Sequence, residues 1–231
     1  MLTINVITLF PEVIEPYLAA SIPGRAVAAG LVRFRVVQLR DHATDRHRTV
    51  DDAPYGGGSG MVLKPEPLFA AVESLGTPGK VVVMSARGVP LTHQRVVRYS
   101  LESDLTVICG HYKDVDQRVV DGLAGEELAI GDFVMSGGEP AALCLIDAIV
   151  RLLPGALGDH QSASGDSFYE GLLSAPSYTR PPEFRGMKVP EVLTSGNHAE
   201  IAAWKQRETE RLTAQRRPDL WARFEGDHTR E

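Results

Sequence analysis

Lys80-Val81-Val82-Val83-Met84-Ser85-Ala86-Arg87-Gly88 is the stretch whose reading decides the fold. Its first six residues form a short run dense in valine, the pattern of a strand, and the chain leaves that run through a glycine-bearing loop. The same signature returns at 105–109, which empties into Gly110-His111-Tyr112, and at 127–130, which empties into the glycine-bearing segment ending at Gly137-Gly138-Glu139. Toward the N-terminus, 2–10 and 32–39 are rich in branched residues and read as strands, with 12–29 between them partly helical. Segments 65–75, 92–100 and 114–124 fit helices. Strands alternating with helices predict an α/β fold, a parallel sheet with helices on both faces.

The most apolar segment is 139–153, Glu139-Pro140-Ala141-Ala142-Leu143-Cys144-Leu145-Ile146-Asp147-Ala148-Ile149-Val150-Arg151-Leu152-Leu153, too long for a strand and read as a buried helix that Pro154-Gly155 stops. The stretch after it, with Ser162-Ala163-Ser164 and no periodicity, reads as a mobile linker and marks the domain boundary: 1–157, a linker at 158–168, and a small, mostly helical C-terminal domain at 169–231. Pro176, Pro181, Pro182 and Pro190 keep the chain extended, and Asn197 caps a helix that Pro218 ends. Trp204, Arg207 and Arg211 share one face of that helix, a pattern that suits RNA contact or a packing anchor, the commoner role of tryptophan.

Composition bounds the answer. The 231 residues are 43% hydrophobic and 23% charged, a globular balance that excludes a disordered or collagen-like chain. With no apolar run of about 18 residues and no signal-peptide pattern at Met1-Leu2-Thr3-Ile4-Asn5, the expectation is a soluble, cytoplasmic protein without membrane contact. Cys109 and Cys144 lie apart in apolar segments and read as buried thiols, not as a metal site. A net charge of −6 offers no overall attraction to nucleic acid. Local clusters differ: Arg33, Arg35, Arg40, Arg46 and Arg48 face only Asp41 and Asp45, and Lys205, Arg207, Arg211, Arg216 and Arg217 form a second basic stretch. Either cluster can steer a polyanion or be a solvated face.

Strong catalytic signatures are absent: no Walker A loop, no G-x-G-x-x-G after a strand, no H-E-x-x-H, no C-x-x-C and no G-x-S-x-G. What remains is the set of three glycine loops after strands. Ligands of open α/β sheets bind outside the carboxyl ends of the strands, where glycine lets backbone groups approach, so three such loops can converge on one ligand, although each alone is also an ordinary turn. The segment Pro54-Tyr55-Gly56-Gly57-Gly58-Ser59-Gly60-Met61 is costly to order and reads as a loop that closes over something, with a flexible linker as the alternative. Asp166 suits a general base and Arg151 a group that stabilises negative charge on a substrate oxygen, while from the residues alone a turn cap and a surface ion pair are the readier explanation.

Several strings together carry a resemblance: Leu9-Phe10-Pro11-Glu12, Asp45-Arg46-His47-Arg48-Thr49-Val50-Asp51-Asp52, Pro54-Tyr55-Gly56-Gly57-Gly58, Ile130-Gly131-Asp132-Phe133-Val134-Met135-Ser136-Gly137-Gly138-Glu139, Ser177-Tyr178-Thr179-Arg180-Pro181 and Leu193-Thr194-Ser195-Gly196-Asn197-His198-Ala199. They resemble the bacterial tRNA (guanine-N1)-methyltransferases of the TrmD type, in order, from the N-terminus to about Pro218. The resemblance implies a SPOUT fold with a trefoil-knot region, an obligate homodimer with active sites between subunits, and methyl transfer from S-adenosylmethionine to N1 of guanosine 37 of tRNA when a guanosine precedes it. Nothing in the periodicity reveals a knot.

By the same resemblance, Met84, Ser85, Gly110, Tyr112, Ile130, Gly131, Asp132, Phe133, Val134, Met135, Gly137 and Gly138 hold the cofactor, Asp166 is the base for the N1 proton, and Arg151 stabilises charge passing to guanine O6. Candidate RNA contacts are Arg46, Arg48, Arg180, Lys205, Arg207 and Arg211. Where the family often reads Gly-Arg-Tyr-Glu-Gly, this chain has Gly110-His111-Tyr112-Lys113-Asp114, so an acidic side chain linked with magnesium dependence is replaced by Lys113 and a magnesium requirement carries over only weakly. Ser59 stands where proline is common, and Ser177 replaces a frequent histidine.

Overall fold

The computed structural model describes residues 1–157 and 165–228, so most of the linker expected at 158–168 lies outside the described residues. The chain divides into two compact units, Met1–Gly158 and Asp159–Glu231. The first is built on a five-stranded, wholly parallel sheet in the order β2-β1-β6-β5-β7, from β1 (Leu2–Thr8), β2 (Val32–Gln38), β5 (Lys80–Pro90), β6 (Asp104–Cys109) and β7 (Glu126–Ala129). A two-residue pair, β3 (Asp51–Asp52) with β4 (Val62–Leu63), stands apart. The helices are α1 (Pro11–Leu18), α2 (Ser21–Ala28), α3 (Pro65–Glu73), α4 (His93–Ser100), α5 (Gln117–Gly122) and α6 (Glu139–Leu152).

Strand alternation explains why both faces of the sheet are covered. Ile4 and Val6 of β1, Val82 and Met84 of β5, and Leu105 and Val107 of β6 join one core with the helices α1, α2, α4 and α6. Ile7, Val81, Val83 and Ile108, one position out of phase, join a second core with α3 and α5. The one polar pair inside the central strands satisfies itself in part: Asn5 Nδ2 donates to Thr106 Oγ1 (3.1 Å), whose hydroxyl donates to the Pro78 carbonyl (2.6 Å).

Three details depart from the sequence reading. β5 does not stop at Ser85. Its pairing with β7 shifts register between Met84 and Val89, so residues 85–88 bulge outward before the strand resumes, and Gly88 sits so close to the backbone of Leu128 that no Cβ fits. Helix α6 is buried on one face only, through Ala141, Ala142, Leu145, Ile146, Ile149 and Val150. Consequently Cys109 is a buried thiol as expected, but Cys144 is exposed, because it falls on the solvent face of α6. Finally, Pro218 both ends a helix and opens another.

That change of direction belongs to the second unit, described here by itself. Its described residues form a short hairpin, β8 (Glu183–Phe184) with β9 (Met187–Lys188), and two helices, α7 (His198–Arg216) and α8 (Pro218–His228). Asn197 caps α7, accepting from the amides of Ala199 and Glu200. Proline at the first position of α8 needs no amide partner, which is why it is tolerated there.

Candidate active site

The carboxyl ends of β5, β6 and β7 surround one cleft with about 600 Å³ of empty space, its open mouth included. Its walls are the β5 bulge, the segment 110–114 after β6 and the segment 130–138 between β7 and α6. Met84, Ser85, Gly110, Tyr112, Ile130, Gly131, Phe133, Val134, Met135, Gly137 and Gly138 all line it, whereas Asp132 is exposed and does not.

Glycine is required at two of these positions for close approach. The Gly138 amide donates to the Gly110 carbonyl at 2.7 Å, and His111 bridges Gly137 in antiparallel fashion, so the two loops are stitched backbone to backbone. A Cβ on Gly138 would stand 2.8 Å from the Gly110 nitrogen, and one on Gly110 would stand 2.9 Å from the Met84 carbonyl oxygen. The cleft is therefore walled largely by main chain and apolar side chains, with Phe133 56% and Val134 85% exposed at its rim.

Polar side chains fix the loops from behind. Asp114, at φ +116, accepts from the Ser85 hydroxyl (2.5 Å) and the Val115 amide (2.8 Å), with Arg87 Nε at 3.6 Å. Glu139, buried at the start of α6, accepts from Thr8 Oγ1 at 2.7 Å. Burial, reinforced by the nearby Glu139 carboxylate, pushes the Cys109 thiol well above its usual range, against a smaller opposing effect of Thr8. The His111 ring packs between Phe10 (5.3 Å) and Tyr112 (4.9 Å). The sequence reading placed the loop Gly110-His111-Tyr112 at the ligand but missed Lys113 and Asp114 as lining residues, although their position directly after that loop was a signal that could have found them.

An adenosyl sulfonium cofactor fits such a wall, because glycines at its closest approaches keep side chains out of space that a ligand can fill. Among the described residues no three His, Cys, Asp or Glu side chains gather to hold a metal, Asp114 is occupied by Ser85, Arg87 and its own neighbour's amide, and Lys113 adds positive charge.

The remaining predicted residues are spread out. Arg151 is exposed in the last turn of α6, in the first unit, and Asp166 is exposed in the second. Asp166 lies on a groove of the second unit together with Tyr178, Lys205 and Gln206. Arg46 and Arg48 are exposed on a tight turn organised by Asp45, which accepts from the Thr49 amide (2.8 Å), the Thr49 hydroxyl (2.9 Å) and the His47 amide (3.0 Å). Those bonds, the Thr49 amide first, hold the Asp45 carboxyl below its usual range. Arg48 pairs with Asp41 at 3.0 Å. Arg180, Lys205 and Arg207 are exposed, while Arg211 is engaged by Glu208 (2.6 Å) and Gln215 (3.3 Å). Trp204 meets the Tyr178 ring edge-on at 6.3 Å. Among the described residues, no helix is long and apolar enough to cross a membrane.

With this geometry in place, comparison decides the family. The family model described as tRNA (Guanine-1)-methyltransferase TrmD matches residues 2–223. The chain belongs to that family of tRNA (guanine-N1)-methyltransferases. It is 52% identical over 228 residues to a tRNA (guanine-N(1)-)-methyltransferase of Anaeromyxobacter sp. (strain K), spanning 96% of this chain and 92% of the relative. A protein of the same name from Gloeobacter violaceus (strain ATCC 29082 / PCC 7421) is 52% identical over 222 residues, spanning 94% and 97%. Another, from Rhizobium etli (strain ATCC 51251 / DSM 11541 / JCM 21823 / NBRC 15573 / CFN 42), is 48% identical over 225 residues, spanning 96% and 97%.

Proposed function

We propose that this chain transfers the methyl group of S-adenosylmethionine to N1 of the guanosine at position 37 of tRNA, next to the anticodon, when a guanosine precedes it. The observation that carries the reading is the cleft of stitched main chain at the ends of three parallel strands, in a chain whose family methylates tRNA guanine. When bound there, the cofactor supplies an electrophilic methyl group. The main chain of the segments 110–114 and 130–138 orients it, and Phe133 and Val134 exclude water from the reacting face.

Guanine N1 is hidden in a base pair when helical, so the substrate base has to be unstacked and presented by its edge. In this proposal the Asp166 carboxylate takes the N1 proton, and the Arg151 guanidinium stabilises the negative charge passing to O6 as N1 attacks the methyl carbon. The proposal includes a knotted SPOUT core and a homodimer whose active sites lie at the subunit interface. The exposed apolar rim at Phe133 and Val134 supports a covering partner or substrate. Acting on tRNA assigns the enzyme to the cytoplasm.

The test is incubation of the full chain with methyl-labelled S-adenosylmethionine and unmodified tRNA transcripts. Label is expected in a transcript with guanosines at 36 and 37 and not in one with adenosine at 37. Equal labelling of both, or of neither, contradicts the proposal. Sedimentation of the enzyme as a monomer at working concentration contradicts the dimer.

A further inference from the structure

Lys113 is the one lysine or arginine among the described residues that line the cleft. Its place is fixed twice. Its amide donates to the Met61 carbonyl at 2.9 Å, and its aliphatic stem lies over Gly60, where a Cβ would come 2.9 Å from Cγ and 3.0 Å from Cε. Gly60 itself has φ +94, a conformation that favours glycine. Leu63 extends the same seam by donating to the Asp114 carbonyl at 3.0 Å. The stem is thus packed while the head stays exposed, and no carboxylate among the described residues forms an ion pair with it.

We infer that Lys113 is a positioning residue that binds a backbone phosphate of the RNA strand whose guanine enters the cleft. This rests on the methyl-transfer reading above. The charge sign selects the ligand: an ammonium at this mouth is repelled by the sulfonium and ammonium of the methyl donor and attracted by every phosphate of the nucleic acid. Pinning the stem on Gly60 spares much of the rotamer entropy that a free lysine loses on binding, so the loop at 54–61 and the cleft present the cation together.

The experiment measures tRNA affinity across a salt series, the KM for tRNA, and S-adenosylmethionine affinity by calorimetry, for the wild-type chain and for Lys113→Met, Lys113→Arg and Gly60→Ala. Lys113→Met keeps the packed stem and is expected to weaken tRNA binding about five- to tenfold near 0.1 M salt, to raise KM in proportion, and to flatten the salt slope by about 0.7, the value for one single-strand phosphate. Lys113→Arg restores both affinity and slope. Gly60→Ala, which displaces the stem with the charge intact, raises the tRNA KM without lowering the slope to the Lys113→Met value. An unchanged slope in Lys113→Met overturns the inference, as does a loss confined to S-adenosylmethionine affinity, which would assign Lys113 to the donor's carboxylate. A wild-type chain that methylates no tRNA defeats the functional reading instead, and the two failures are distinct because tRNA binding and its salt slope are measured without turnover.

Discussion

Gly138→Ala probes the cleft by adding one methyl group. The new Cβ would stand 2.8 Å from the Gly110 nitrogen, 3.0 Å from Cys109 Cα and 3.2 Å from the Cys109 carbonyl carbon, all of them backbone atoms that cannot rotate away. Alanine itself is at ease at the φ of −81 and ψ of −8 found there, so the cost is steric alone. Reaching an ordinary 3.4 Å contact moves the segment before α6 outward by at least 0.6 Å. It also stretches the 2.7 Å bond from the Gly138 amide to the Gly110 carbonyl. Overpacking of this kind costs about 1–3 kcal/mol, and the weakened hydrogen bond about 1 kcal/mol more. Because the segment that retreats is the cleft wall, the donor-bound state bears most of the cost, and S-adenosylmethionine affinity should fall about 10- to 100-fold. Calorimetric titration of the purified variant reads this directly, with Gly226→Ala as the control, since nothing lies within 4 Å of its added Cβ. Wild-type donor affinity in a folded Gly138→Ala protein would refute the argument that close-packed main chain forms the donor site.

Other perturbations test other parts. Asp166→Asn should lower turnover at least about 100-fold with donor affinity nearly unchanged, because the base acts on RNA and not on the cofactor; equal turnover removes Asp166 from that role. The Asp45 carboxyl is held below its usual range, so its support of the 45–49 turn is complete above the ordinary carboxylate range and is lost only as pH falls through the depressed folded value. The Thr49 amide resonance should therefore stay fixed from neutral pH into the ordinary carboxylate range and shift only below it, and a shift centred near neutrality contradicts the assignment. The thiols should separate cleanly: Cys144 is exposed, while burial keeps the Cys109 thiol protonated, so native protein takes up one equivalent of an alkylating reagent at Cys144 and the second only on unfolding. Modification of Cys109 in the native state contradicts the packing described.

Local physics made much of the fold legible. The valine run at 80–85 and the runs at 2–10, 32–39 and 105–109 are strands because branched residues suit a sheet buried on both faces, and Gly110, directly after the last of them, marks where that strand ends. What escaped was non-local. The bulge in β5 depends on Gly88 meeting Leu128, a contact between segments that no window of sequence contains. The exposure of Cys144 follows from which half of an almost wholly apolar helix meets the sheet, and periodicity is weakest where nearly every residue is apolar. Pro218 was legible as a stop but not as a start, since proline serves both functions. In the site, the glycine loops announced themselves, whereas the seating of Lys113 on Gly60 joins positions far apart in sequence and becomes visible only in three dimensions.

The most direct test is nucleoside mass spectrometry, combined with reverse-transcription mapping, of tRNA treated with this protein and S-adenosylmethionine. The account predicts 1-methylguanosine at position 37 of a substrate with guanosine at 36, formed by the wild-type chain and strongly reduced with Asp166→Asn. A methyl group on a ribose, on another base atom or at another position contradicts it.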